Sequence, residues 1–183
     1  MTAQGDSVAG VVSFFETANG KIMQLSGGTD LNDQLLLRYP FPDYPAAIWI
    51  EFEAMPEFVS DAYDFRVMKA NFDNPNQPYR SVEVGYWDNR VRAYDFGSGS
   101  WKSCASKAGG QWHHVQIRIA FFLGTFDVWV DGWESQVCKG LLQDNNTLAR
   151  PYVFFEVLDW STAGRGGNVW FDNFTGREPQ SPP

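Results

Sequence analysis

Helical periodicity is nearly absent from this chain. The one short candidate runs from Lys139 to Leu142, a single turn, so all-α and α/β folds are excluded. No apolar run approaches the length of a membrane span, and the N-terminus reads as a trimmed segment in which no signal peptide is expected. Positive charge is scarce as well. The chain has 14 Lys and Arg against 22 Asp and Glu, a net charge of -8, and no basic run. Nucleic acid and anionic membrane are therefore poor partners. Cysteine is limited to Cys104 and Cys138. There is no C-x-x-C pair and no His/Cys cluster of zinc spacing. In a secreted protein the two would form a disulfide; two buried free thiols fit the pattern nearly as well. The segment Arg177-Glu-Pro-Gln-Ser-Pro-Pro183 reads as a Pro-rich linker or tail. The expected organisation is a single β-sandwich domain over residues 1–176 with a tail over 177–183, a module attached to other domains of a longer, secreted protein.

Aromatic residues are abundant: 16% of the chain, with eight Trp. Trp and Tyr stack on apolar sugar faces, and a two-sheet core also consumes them. Alternation of period two recurs along the chain and marks half-buried strands. In Ala47 to Met55, Ile48, Ile50, Phe52 and Ala54 face one way and Trp49, Glu51 and Glu53 the other. In the stretch from Gln111 to Gly132, His113, Val115, Ile117 and Ile119 alternate with His114, Gln116 and Arg118. After a turn at Leu123-Gly124-Thr125, Phe126, Val128 and Val130 alternate with Asp127, Trp129 and Asp131. Further strands are expected at Val11–Glu16, Leu35–Tyr39, Tyr63–Ala70, Ser81–Trp87, Val91–Phe96, Tyr152–Asp159 and Asn168–Thr175. The fold class that follows is all-β, an antiparallel two-sheet β-sandwich.

The hairpin containing Trp112-His-His-Val115 and Phe126-Asp-Val-Trp-Val-Asp-Gly132 resembles a hairpin of concanavalin A-like and laminin-G-like jelly rolls. The ending Gly167-Asn-Val-Trp-Phe-Asp-Asn-Phe174 is similar to the last strand of jelly-roll carbohydrate-binding modules. Phe14-Phe15-Glu16 and the long Ala47 to Met55 strand fall in the matching order. The resemblance covers nearly the whole chain and implies a concanavalin A-like jelly roll. It also implies sugars as partners, since lectins, glycoside hydrolases, polysaccharide lyases and binding modules share this fold. Structural calcium is a further implication, with Asp172 and Glu16 as its ligands.

Fold does not give function, so the residues must choose. The favoured reading is a non-catalytic module that binds a polysaccharide or oligosaccharide on one concave sheet face. Its expected contacts are Trp49, Glu51, Glu53, Glu83, Trp87, Arg92, Gln116 and Arg118. A glycoside hydrolase would use Glu51 and Glu53, about 7 Å apart at Cα on one strand face. Retaining enzymes hold two carboxyls about 5 Å apart. The segment Glu51-Phe-Glu-Ala-Met-Pro-Glu57 departs from the E-x-D-x-x-E strand of such enzymes, and the simpler reading is two solvated side chains. A lyase would need a base and a group that neutralises a uronate carboxyl. His114, Gln116 and Arg118 share a face, and Arg66, Glu83 and Arg92 would come from neighbouring strands. The R-x-E-x-R-like and Q-I-H strands of alginate lyases are missing. A protein-binding adhesion or virion module of laminin-G type is the third reading. His113 is expected to be a core histidine; Trp112, Trp129 and Trp170 are expected to be structural, and Trp101, Trp133 and Trp160 accessible.

Overall fold

The computed structural model describes residues 2–5, 11–17, 20–26, 35–38, 46–57, 63–71, 79–132, 136–144, 149–159 and 168–177. Its strands, in chain order, are β1 (Thr2–Gly5), β2 (Val11–Thr17), β3 (Gly20–Ser26), β4 (Leu35–Arg38), β5 (Ala47–Pro56), β6 (Tyr63–Asn71) and β7 (Tyr79–Trp87). They continue as β8 (Arg90–Asp95), β9 (Ser100–Ser106), β10 (His113–Ala120), β11 (Thr125–Val130), β12 (Gln136–Leu142), β13 (Ala149–Asp159) and β14 (Asn168–Arg177). Lys139 to Leu142, expected as a helical turn, belongs to β12. That segment pairs with β11 from Thr125↔Leu142 to Trp129↔Gln136, so sheet pairing overrides its local preference.

A seven-stranded sheet runs β12-β11-β10-β5-β14-β3-β2, a five-stranded sheet β13-β6-β7-β8-β9, and β1 pairs with β4. All of their ladders are antiparallel, as expected from the sequence. The apolar sets of β5 and β10 are fully covered, as are Tyr63, Phe65, Val82, Val84, Tyr86, Val91 and Ala93 of the opposite sheet. The two layers meet at Phe52, whose ring lies 5.0 Å from that of Phe65 and 6.2 Å from that of Tyr63. Each such side chain contributes about 1.5–3 kcal/mol when taken out of water. This burial fixes the register, because a slip of one residue would put Trp49, Glu51 and Glu53 into the core.

His113 is the polar member of the core. Its Nε2 lies 2.8 Å from the Tyr63 hydroxyl, and the imidazole stacks on Tyr63 and Tyr86. Burial pushes its pKa down from 6.5 to about 4, and burial raises that of Tyr63.

The turns follow the residues supplied. Asp88 and Asn89 take φ of 52° and 58° between β7 and β8, the left-handed pair that a two-residue hairpin requires. Cys104 of β9 and Cys138 of β12 form a disulfide with Cα atoms 5.3 Å apart. It ties an edge strand of one sheet to an edge strand of the other. Next to this seam Gln143 is buried. Its Nε2 donates to Ala120 O at 3.1 Å and Thr125 O at 2.7 Å, and its Oε1 accepts from Ser81 Oγ at 3.1 Å. Asp95 accepts from the Ser98 hydroxyl and from the amides of Leu142 and Gly97; the Ser98 bond is the largest cause of its lowered pKa.

Candidate functional site

Alternation decides which side chains leave the core, and strand order decides which of them meet. Because β10 lies between β5 and β11, their outward residues form rows across three strands. One row holds Trp49, Arg118 and Asp127; the next holds Glu51, Gln116 and Trp129. A third begins at Asp172 of β14 and passes through Glu53 to His114.

The Trp49 and Trp129 rings stack across β10, 5.6 Å apart at their centroids and 25° apart in plane. Arg118 lies over Trp49, its guanidinium carbon 5.8 Å from the ring centroid, and 3.9 Å from Asp127. His114 lies 3.7 Å from Glu51. Gln116 is only 3% exposed although it stands on an outward face, and its Oε1 has no hydrogen-bond partner among the described residues. The backbone of β14 bulges after Asp172, where Asn173 takes φ of 50°. Bulges re-aim side chains. Here the Asn173 amide donates to Asp172 at 2.7 Å and its Nδ2 to Glu53 at 3.1 Å. At the end of β11, Asp131 accepts from the His114 amide and from Lys107. Burial works against the Asp131 carboxylate, but the Lys107 and His114 hydrogen bonds outweigh it and lower its pKa.

The eight binding residues expected from sequence divide between the two sheets. Trp49, Glu51, Glu53, Gln116 and Arg118 share the outer face of the seven-stranded sheet. Glu83, Trp87 and Arg92 stand on the five-stranded sheet, where odd positions of β7 alternate with core Val82, Val84 and Tyr86. The core lies between the sheets, so these two faces point away from each other. On the second face Arg92 lies 4.6 Å from the Trp87 centroid, and Trp101 meets Trp87 and Tyr94 edge to face. Glu83 is 3% exposed there.

Trp129 is 6% exposed, buried as expected of a structural residue, although it has the outward parity of β11 and stacks on Trp49; Trp112, also expected to be structural, is 40% exposed. Asp127, Trp129, Asp172 and Asn173 join the face without having been singled out for it. The alternation of β11 carried the signal for Asp127 and Trp129; nothing in the sequence marks the bulge at Asn173. The side chain of Arg66 lies outside the described ones, and Trp133 and Trp160 lie outside the described residues.

Of the expected calcium ligands, the Glu16 side chain lies outside the described ones, and Asp172 accepts from the Asn173 amide. Among the described residues no group of three or more His, Cys, Asp or Glu is placed to hold a metal.

No family model and no curated protein matches the chain. Solved structures do share its architecture. A sialidase superposes with a TM-score of 0.71 at 12% identity, over 97% of this chain and 17% of the sialidase; this chain thus spans a small part of that protein. An alginate lyase from Pseudomonas aeruginosa gives 0.65 at 17% identity, covering 91% of this chain and 86% of the lyase. An endo-β-1,4-glucuronan lyase from the fungus Trichoderma reesei gives 0.60 at 14%, covering 94% and 89%. The fold is a concanavalin A-like jelly roll. In this jelly roll the seven-stranded sheet carries the face just described, and the disulfide and the Gln143 seam brace one lateral edge of it.

Proposed function

We propose that this jelly roll is a secreted, non-catalytic carbohydrate-binding module that lays a polysaccharide across the outer face of the seven-stranded sheet. The observation that carries the reading is Trp49, half-buried on the outward face and backed by the buried Trp129 ring, with Glu51 and Arg118 beside it. Aromatic rings supply apolar surface for sugar C–H faces, and side-chain amides, carboxylates and guanidinium bond the hydroxyls. Structural neighbours whose names point to alginate and glucuronan support a carbohydrate partner. The disulfide suits an oxidising compartment. Among the described residues no helix is long and apolar enough to cross a membrane.

A lyase on the same face is the second reading, favoured by His114 and Gln116 standing side by side on β10. His114 would take the proton and Gln116 or Arg118 would face the uronate carboxyl. The hydrolase reading gains less, because Glu51 and Glu53 already face His114 and Asn173.

Affinity electrophoresis on a panel of soluble polysaccharides, run with assays for reducing ends and unsaturated products, separates these readings. Retardation without product supports the module. Unsaturated product that vanishes in His114→Ala makes the chain a lyase. Product lost in Glu51→Gln makes it a hydrolase.

A further inference from the structure

Trp87 and Arg92 were expected to hold sugar, yet they lie on the five-stranded sheet and take no part in the binding face proposed above. Around them stands a second cluster. The Arg92 guanidinium lies over the Trp87 ring, 4.6 Å from its centroid. Trp101 meets Trp87 edge to face at 4.6 Å and Tyr94 at 5.3 Å. All three rings are half-buried, so part of each still reaches solvent. Gly85, opposite Arg92 in register, makes room for the arrangement. A Cβ there would lie 2.7 Å from Cζ3 of Trp87 and push the indole off β7.

Arg92 is held in place without being satisfied. Its side chain is 23% exposed, and its acidic partner among the described residues is Asp88, 3.6 Å from Nη2. That is an ion pair, but too long for a hydrogen bond. Among the described residues nothing accepts a hydrogen bond from the guanidinium: Nε is covered and unpartnered, and Nη1 and Nη2 remain open to solvent. A guanidinium is all donor and no acceptor, and holding one mostly covered with its donors unmatched is costly. Its planar fork matches the two oxygens of a carboxylate. The nearby charged positions do not fill that role. Arg90 is a cation, Glu83 is 3% exposed, and Asp64 and Arg66 stand by register on β6, beyond β7.

The geometry points to a second binding site, on the five-stranded sheet, for a sugar unit that carries a carboxylate. The acid takes Nη1 and Nη2 of Arg92, and the ring lies against Trp101 and Tyr94. Aromatic rings alone accept many sugar faces; the guanidinium supplies the choice of an acidic one. The aromatic centroids lie within 5.3 Å of their neighbours, so the cluster suits one sugar unit rather than a chain laid across a sheet. Neither Trp49 nor its face is needed, so this site stands or falls apart from the binding reading above.

NMR titration of the isotope-labelled chain tests it with methyl glucuronide, methyl glucoside, the 6-sulfate of that glucoside, and acetate. The glucuronide is expected to bind at least about tenfold tighter than the glucoside, the worth of one charge-assisted hydrogen bond. Its shifts should gather on the Arg92 Nε–H and on the indole N–H of Trp87 and Trp101. Arg92→Lys keeps the charge and loses the fork, and should remove the preference. Asp88→Asn should instead tighten glucuronide binding, because it takes away the competing carboxylate. Asp88 is 80% exposed and has φ of 52°, which Asn also adopts, so this variant carries the test even if Arg92→Lys fails to fold. Trp49→Ala should leave glucuronide binding unchanged, and Arg92→Lys should leave retardation by a neutral polysaccharide unchanged. Equal binding of glucuronide and glucoside, tighter binding of the sulfate, or acetate binding as well as the glucuronide would each overturn the site as an acidic-sugar site. So would a preference that survives in Arg92→Lys, shifts confined to the Trp49 face, or no binding of any of the four.

Discussion

At the scale of single residues, the two histidines show how strand parity sorts identical chemistry. His113 and His114 are adjacent, yet one is sealed beside Tyr63 and Tyr86 and the other faces Glu51. The alternation of β10 made this legible, because His113 shares its parity with Val115, Ile117 and Ile119. The buried imidazole makes stability depend on pH. Its pKa falls from 6.5 to about 4 on folding, so between those values the unfolded chain binds the extra proton. This contribution is fully present above 6.5 and is lost as pH falls towards 4, amounting to roughly 3 kcal/mol. Melting temperatures measured from pH 7 to pH 4 should therefore drop, and His113→Gln should flatten the drop; an unchanged slope in that variant would assign the pH dependence to other groups. Gln143 gives a second residue-level test. Gln143→Ala removes the donor to Thr125 O and the acceptor of the Ser81 hydroxyl, while Ala120 O keeps the Leu123 amide; the loss is about 1–3 kcal/mol for each group left unsatisfied. Urea denaturation would read it as a shift in midpoint.

At the scale of elements, legibility ended where pairing began. Strands β5, β10 and β11 announced themselves by alternation, and so did their inward and outward faces. Which strands lie side by side is set by long-range packing, and one sequence does not display it. That is why Trp49 and Trp87 were expected on a common face although they stand on opposite sheets. Strand β12 was missed for a related reason. It is an edge strand with bulged pairing and a left-handed Gly140, held by β11 on one side and by the Cys104 link on the other. Local pattern carries little of that. Removing the link with Cys104→Ser and Cys138→Ser should cost about 2–4 kcal/mol. Hydrogen exchange should place the loosening in β9 and β12 first. Uniform loosening of both sheets would mean that the link is not confined to its edge.

At the scale of the whole molecule, the sandwich presents two aromatic faces of different construction. The seven-stranded face offers Trp49, stacked on the buried Trp129, beside hydrogen-bonding groups; the five-stranded face offers Trp87, Trp101 and Tyr94 edge to face, with Arg92 over Trp87. If the proposed binding face is right, Trp49→Ala should weaken polysaccharide binding by about tenfold, or ~1.4 kcal/mol, and Trp87→Ala should leave it intact. The reverse pattern in the same electrophoresis would move the site to the other sheet.

The place of β14 sets an order of assembly. It is the last strand in the sequence, yet it lies inside the seven-stranded sheet between β5 and β3. The β2–β3 hairpin joins the rest of that sheet only through it. On a ribosome β2 and β3 are made well before β14 and must wait for it to meet the rest of their sheet, and the face bearing Asp172 and Asn173 is completed only then. Chains stalled before Asn168 should stay sensitive to protease across β2 and β3, whereas chains extended past Arg177 should not; equal resistance in both would show that the hairpin finds its place without the closing strand.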